Sequence, residues 1–203
     1  MEPSHPPVSE STLGEWAARG LAFLREQLGE AAPPSLSYPV IFPRSPLEGD
    51  GPCVVFRFVA DLGGGGPENY YLVTGQTEPN YYPAYGLDPD EAFSLHLGTR
   101  FMLVLGVAQR DPLPDDEYDP SRDARSIVDR VAPEASLEEV RVAALLDVDG
   151  SLHAVLRCRI GREEAYIMGR EAPPGFSRRV DLPPLVAYRL HVGSVLRVER
   201  APE

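Results

Sequence analysis

Four histidines, two cysteines and nine tyrosines carry most of this chain's capacity for chemistry, and their spacing decides how much of it is usable. The histidines are His5, His96, His153 and His191. No two stand at the HxxxH spacing that lets one helix face present two imidazoles to a metal, and none neighbours a cysteine. His96 has Glu91, Phe93, Leu97 and Arg100 within about a turn of helix, and a histidine beside a carboxylate is the minimum arrangement for a general base. Helix-face histidines far more commonly serve packing, so no catalytic residue is assigned. Cys53 and Cys158 lie far apart in strand-like runs and form neither a CxxC knuckle nor a disulfide framework. Ser94, in AFSLHLG, lacks the strand–turn–helix elbow that exposes a nucleophile. Gly63 to Gly66 lead into Pro67 rather than into the lysine and helix of a phosphate loop. Asp147 to Gly150 begins like a calcium loop, but the strand patterns on both sides make it a hairpin turn. Asp115, Asp116, Glu117 and Asp119 have the charge to attract a hard cation, although acidic loops are ordinarily just solvated. Neither a metal nor a cofactor is expected.

The most informative stretch runs from Asn69 to Leu87 and holds five of the nine tyrosines. Tyrosine offers a broad apolar face and a polar tip at little entropic cost, which suits it to recognition surfaces. Pro79 and Pro83 restrict the path, so a loop here can be ordered without regular structure. Tyr70, Gln76, Glu78, Asn80, Tyr81, Tyr82 and Tyr85 are therefore the candidate partner-binding residues. The competing reading has the same tyrosines plugging the loop onto a sheet. A second candidate surface is an arginine face made by Arg141, Arg157 and Arg159.

Those arginines belong to an uneven charge distribution. The chain has 203 residues, 31 acidic and 19 basic, all of the latter arginine, for a net charge of -12. Residues 1–149 carry a net -15 and residues 150–203 a net +3. The overall acidity disfavours a general nucleic-acid binder, which needs a clustered positive field. The absence of lysine goes with two asparagines, four isoleucines and 22 prolines. That set matches the codon bias of a high-G/C bacterial genome; the alternative is that lysine is excluded for function, near machinery that modifies its amine. No apolar run reaches the ~18 residues that span a bilayer, and Met1 to Ser9 lacks a secretory pattern, so a cytoplasmic location is expected.

The elements that must position these residues follow from periodicity. Leu13, Trp16, Ala17, Leu24 and Leu28 define an N-terminal amphipathic helix from about Thr12 to Gly29, capped by Ser9 or Ser11. The proline-dense stretch that follows reads as an extended edge segment. Cys53–Ala60 and Asn69–Thr74 read as a hairpin. Asp88-Pro89-Asp90-Glu91 opens a helix to about Gly98, after which Phe101–Ala108, apolar on both faces, reads as a central buried strand. Asp119-Pro120 opens a short helix to Val131. Glu139–Val148 and Ser151–Ile160 flank Asp149-Gly150, a strong hairpin signal. Alternation sets Val140, Val142, Ala144, Leu146 and Val148 on one face and His153 on the solvent face. Ala165–Arg170, Leu185–Leu190 and Val195–Arg200 read as the remaining strands.

The expected class is α+β: a largely antiparallel sheet built of hairpins, with the N-terminal helix and two shorter helices packed mainly on one face. Residues 1–9 read as a disordered N-terminus and 10–203 as a single domain, with 109–119 the one weak boundary. No internal repeat is apparent. The expected function is non-catalytic: an interaction or accessory protein that recognises a protein partner, or itself, through the tyrosine/proline-rich loop, with no nucleic acid and no membrane. The alternative is a small enzyme or small-molecule sensor with a pocket between that loop and the helix carrying His96.

Overall fold

The computed structural model describes residues 8–47, 51–110, 118–131 and 133–199. They form four α-helices and two antiparallel sheets, an α+β architecture. They fall into two compact units, one ending at His96 and the other spanning Leu97–Glu199. The division lies inside a helix, not in the acidic connection 109–119, of which 111–117 are outside the described residues. Most of the expected N-terminal extension, including His5, is also outside them. Val8 packs against the core, and Ser9 caps the first helix.

In the first unit, helix α1 (Glu10–Leu28) starts where the Ser9 hydroxyl accepts from the Thr12 amide at 3.1 Å. It ends at Gly29, whose φ of 57° favours glycine. Strands β1 (Ser37–Phe42), β2 (Cys53–Ala60), β3 (Glu68–Gly75) and β4 (Asn80–Pro83) pair in that order. Proline-bearing β1 is an edge, as its missing amide requires. Trp16 and Leu24 of α1 pack with Val54, Phe56, Phe58, Tyr70 and Leu72 of the sheet. Gly20 faces the same way, and a Cβ there would lie 2.5 Å from the Leu72 Cδ2 atom. Leu24 is fully enclosed, so truncating it to alanine costs about 2–5 kcal/mol.

Helix α2 (Pro89–Leu105) corrects the reading of Phe101–Ala108 as a central strand. Nothing after Asp88 breaks the helix until Gly106, whose φ is 69°. Gly98 is not a stop: a Cβ there would run into the backbone carbonyl of Arg189, so glycine permits a close backbone approach.

The second unit has strands β5 (Ala108–Arg110), β6 (Leu137–Val148), β7 (Ser151–Ile160), β8 (Glu163–Arg170) and β9 (Gly175–Ser177), paired in sequence order. Helix α3 (Pro120–Val131) lies on one face through Ala124, Ile127 and Val128, against Leu145, Ala154, Leu156, Cys158 and Ile167. The expected alternation along β6 breaks at a register shift between Val142 and Ala144. One extra residue turns Leu145, rather than Leu146, toward α3.

The C-terminal runs read as strands are instead one helix, α4 (Pro184–Glu199). Pro184 occupies its first position, and the Val186 and Ala187 amides both donate to the Pro183 carbonyl, at 2.9 and 3.0 Å. Helix α4 covers the sheet face opposite α3, so this sheet is covered on both sides rather than mainly on one. The same helix corrects the placement of His153, which is buried against Tyr188 rather than facing solvent.

Candidate functional site

The first unit concentrates its buried polar groups where β3 hands over to β4 and α2. Strand β3 ends at Gly75, whose φ is 121° and where a Cβ would lie only 2.6 Å from the Cys53 Cα, leaving no room for a side chain. The chain then turns back through Gln76 to Pro79 and pairs β4 onto β3, with Tyr82 opposite Tyr71. The Tyr71 hydroxyl donates to the Leu87 carbonyl at 2.9 Å, fixing the approach to α2. A reciprocal cap starts that helix: the Glu91 amide donates to Asp88 at 2.8 Å and the Asp88 amide to Glu91 at 3.0 Å.

Two turns into α2, His96 is fully enclosed. Its Nε2 lies 3.1 Å from the Thr77 hydroxyl and its Nδ1 3.1 Å from the Tyr82 hydroxyl. A neutral imidazole donates through one nitrogen and accepts through the other, and hydroxyls can serve either role. Thr77 is anchored in turn by the Arg19 guanidinium, which donates to its carbonyl. The result is a satisfied polar link between the loop, β4 and the helix.

This geometry divides the candidate recognition residues. Tyr70 and Tyr82 are buried, 5% and 7% exposed. Tyr81 is half-buried with its ring edge toward Phe58 and Tyr70, and the Asn80 side chain accepts from the Tyr81 amide at 2.9 Å. Gln76, Glu78 and Tyr85 lie at the surface, Tyr85 in a left-handed turn at φ 47°.

In the second unit, Arg141, Arg157 and Arg159 do share one region. Arg141 stands directly opposite Arg157, and with Glu139, Cys158 and Glu164 they line a depression of about 260 Å³. Arg157 pairs with Glu164 at 2.6 Å and Arg159 with Glu139 at 2.9 Å. The hydrogen bond from Arg157 holds the Glu164 carboxyl below the usual carboxylate range. Strand carboxylates thus compensate Arg157 and Arg159. Pairs as open to water as these add little to stability, because solvent screens them.

Sequence reasoning missed two further groupings. The Tyr118 hydroxyl donates to the Asp123 Oδ2 at 2.8 Å, that oxygen also accepts from the Arg170 amide at 2.6 Å, and the Arg170 guanidinium lies 4.9 Å from the Tyr118 ring centre. With Asp119, Arg122 and Ser126 these residues line a second depression, of about 330 Å³. Burial and the Asp123 hydrogen bond raise the Tyr118 phenol, keeping it a donor. The other grouping joins His153 Nδ1 to the Tyr188 hydroxyl; burial lowers the histidine and pushes Tyr188 up to about 12. Partners 47 and 35 residues apart leave no local signal.

Among the described residues, no group of three or more histidines, cysteines or acids is placed to hold a metal ion, and no helix is long and apolar enough to cross a membrane. Asp115, Asp116 and Glu117 are outside the described residues. Compared with known proteins, the chain matches no family model, no curated protein and no solved structure.

Proposed function

We propose that this protein works by binding another protein rather than by catalysis, and that the last turn of α2 is its principal contact. The observation that carries the reading is the exposure of Leu103 and Val104, at 72% and 81%. The run Phe101-Met102-Leu103-Val104-Leu105 is apolar all the way round its helix, a pattern that ordinarily belongs inside a protein. Only part of it is covered, Met102 being buried and its two successors open to water. Adjacent exposed apolar side chains on a regular element are the mark of an interface. A net charge of -12 disfavours the approach of two copies, so the favoured partner is a different protein, basic in balance and apolar at its contact.

The enclosure of His96 supports the non-catalytic side of this reading, since both ring nitrogens already face hydroxyl groups. Gln76, Glu78 and Tyr85, the surface residues of the tyrosine loop, are a secondary contact in the same proposal.

The test is the double substitution Leu103→Glu with Val104→Glu, compared with wild type by melting temperature, sedimentation and affinity capture from the native host. The expected result is an unchanged melting temperature and the loss of a specific basic partner. Identical captured proteins for both chains would overturn the reading. Self-association present in wild type and lost in the variant would replace the partner with a second copy.

A further inference from the structure

We infer that this chain is a tandem duplication of one α-β-β-β-β-α module, the first copy running from α1 to α2 and the second from α3 to α4. The element order is the same in both, and each sheet pairs its four module strands in sequence. Strand β5 is an addition on the edge of the second sheet.

Element order alone is weak support, because many small α+β folds share it. The residue correspondence is much more specific. With a constant offset of 95 residues and no gap, Leu87–Thr99 (LDPDEAFSLHLGT) aligns with Leu182–Ser194 (LPPLVAYRLHVGS). Six of the thirteen positions are identical: Leu87/Leu182, Pro89/Pro184, Ala92/Ala187, Leu95/Leu190, His96/His191 and Gly98/Gly193. Three more are conservative: Phe93/Tyr188, Leu97/Val192 and Thr99/Ser194. Only four histidines exist in the chain, and two of them occupy the same place in these helices.

The same offset reproduces structural detail that sequence similarity does not require. The Tyr71 hydroxyl donates to the Leu87 carbonyl at 2.9 Å, and the Tyr166 hydroxyl donates to the Leu182 carbonyl at 3.1 Å. Tyr71, Leu72 and Val73 pair with Tyr82, Tyr81 and Asn80; Tyr166, Ile167 and Met168 pair with Ser177, Phe176 and Gly175. The third strand of each copy ends at a left-handed residue, Gly75 and Arg170. In each, an arginine stands across from the tyrosine, Arg57 from Tyr71 and Arg157 from Tyr166; the two arginines are 100 apart instead of 95, because the β2–β3 connection is five residues longer than the β7–β8 turn. Arg57 donates to the Asn69 side chain at 3.1 Å and Arg157 to Glu164 at 2.6 Å, and Asn69 and Glu164 are again 95 apart. Each helix histidine leans on its own turn between the third and fourth strands, His96 on Thr77 and His191 on the Pro173 carbonyl.

Independent convergence would have to reproduce register, hydrogen bonds and backbone handedness together at one offset. Duplication supplies all of them at once. It also assigns the helix histidines: a residue kept in both copies, each time bonded to the same turn, is a framework residue that positions the helix. The exposed apolar helix end recurs as well, since Leu103 corresponds to Val198 and both are open to solvent.

Duplicated segments should be interchangeable, and this is measurable in the full-length chain. In one chimera the sequence of 182–194 replaces 87–99, and in the other the sequence of 87–99 replaces 182–194. Each is compared with a control carrying the same thirteen residues in shuffled order. The expected result is that at least one chimera unfolds cooperatively, within about 10 °C of wild type, while its shuffled control has no cooperative transition. Both chimeras behaving like their shuffled controls would overturn the duplication.

Discussion

Gly98 and Arg189 meet backbone to backbone: a methyl group at Gly98 would occupy the space of the Arg189 carbonyl. The contact explains why a residue with poor helix propensity sits in the middle of α2. Neither helix can retreat without opening the packing around it, so Gly98→Ala is expected to cost about 1–3 kcal/mol. Gly14, also inside a helix, has open space where its Cβ would be. There alanine is expected to stabilise by roughly 0.5–1 kcal/mol, because glycine loses more freedom on folding. Urea denaturation of the two variants checks both signs, and a stabilising Gly98→Ala would contradict the close approach.

A different experiment tests the buried histidines. Burial lowers both His153 and His191 below the usual histidine range. In the unfolded chain they titrate near about 6.5, so below that pH the unfolded state takes up protons that the folded state refuses. Stability is expected to fall as pH drops from about 7 to about 5. His191 Nε2 faces the Pro173 carbonyl and therefore donates, which makes His191→Gln a donor-preserving replacement. That variant should show a flatter decline of the urea midpoint across the same range. Glu164 and Asp181 have carboxyls lowered by arginine hydrogen bonds, so their contribution is present above the unfolded carboxylate range and is lost only at more acidic pH.

The thiols offer a third check. Cys53 and Cys158 are buried thiols outside any disulfide, and burial pushes the Cys158 thiol up to about 11. A disulfide-exchange reagent needs an accessible thiolate. At neutral pH the folded protein is expected to react slowly or not at all, and both thiols to react on unfolding in denaturant. Rapid labelling of Cys158 in the folded protein would show that the α3 face of the sheet opens.

Much of this architecture is legible in local signals. Helix α1 is announced by Ser9 and its apolar stripe, the edge position of β1 by its proline, and the β6–β7 turn by Asp149-Gly150. The α+β class follows from these. Local pattern misleads where tertiary packing overrides it. Phe101–Ala108 has no polar side to set a helical period, and Gly98 imitates a stop when its partner on α4 is unknown. Valine-rich runs separated by Gly193-Ser194 imitate two strands, although Pro184 opens α4 just as Pro89 opens α2. Alternation places His153 toward solvent only as long as the helix that covers it reads as strand. The tyrosine loop divides in the same way, because its composition cannot say which rings face the sheet and which face water. The repeat is written in the sequence as a proline, a histidine and a glycine at one constant offset. A single long-period recurrence is hard to distinguish from coincidence until the hydrogen bonds recur with it.

Strand β1, at the edge of its sheet, has consequences beyond the folded monomer. Tyr38 and Ile41 are exposed on it, an invitation to the edge of another molecule. Pro39 removes one amide from that edge, and the irregular register between Ser37 and Val40, with Tyr38 at a φ of 50°, bends the strand out of line. Fibril growth needs a straight, fully donating template, and this strand offers neither property. The open edge of β1 is therefore a poor template for the strand of another molecule.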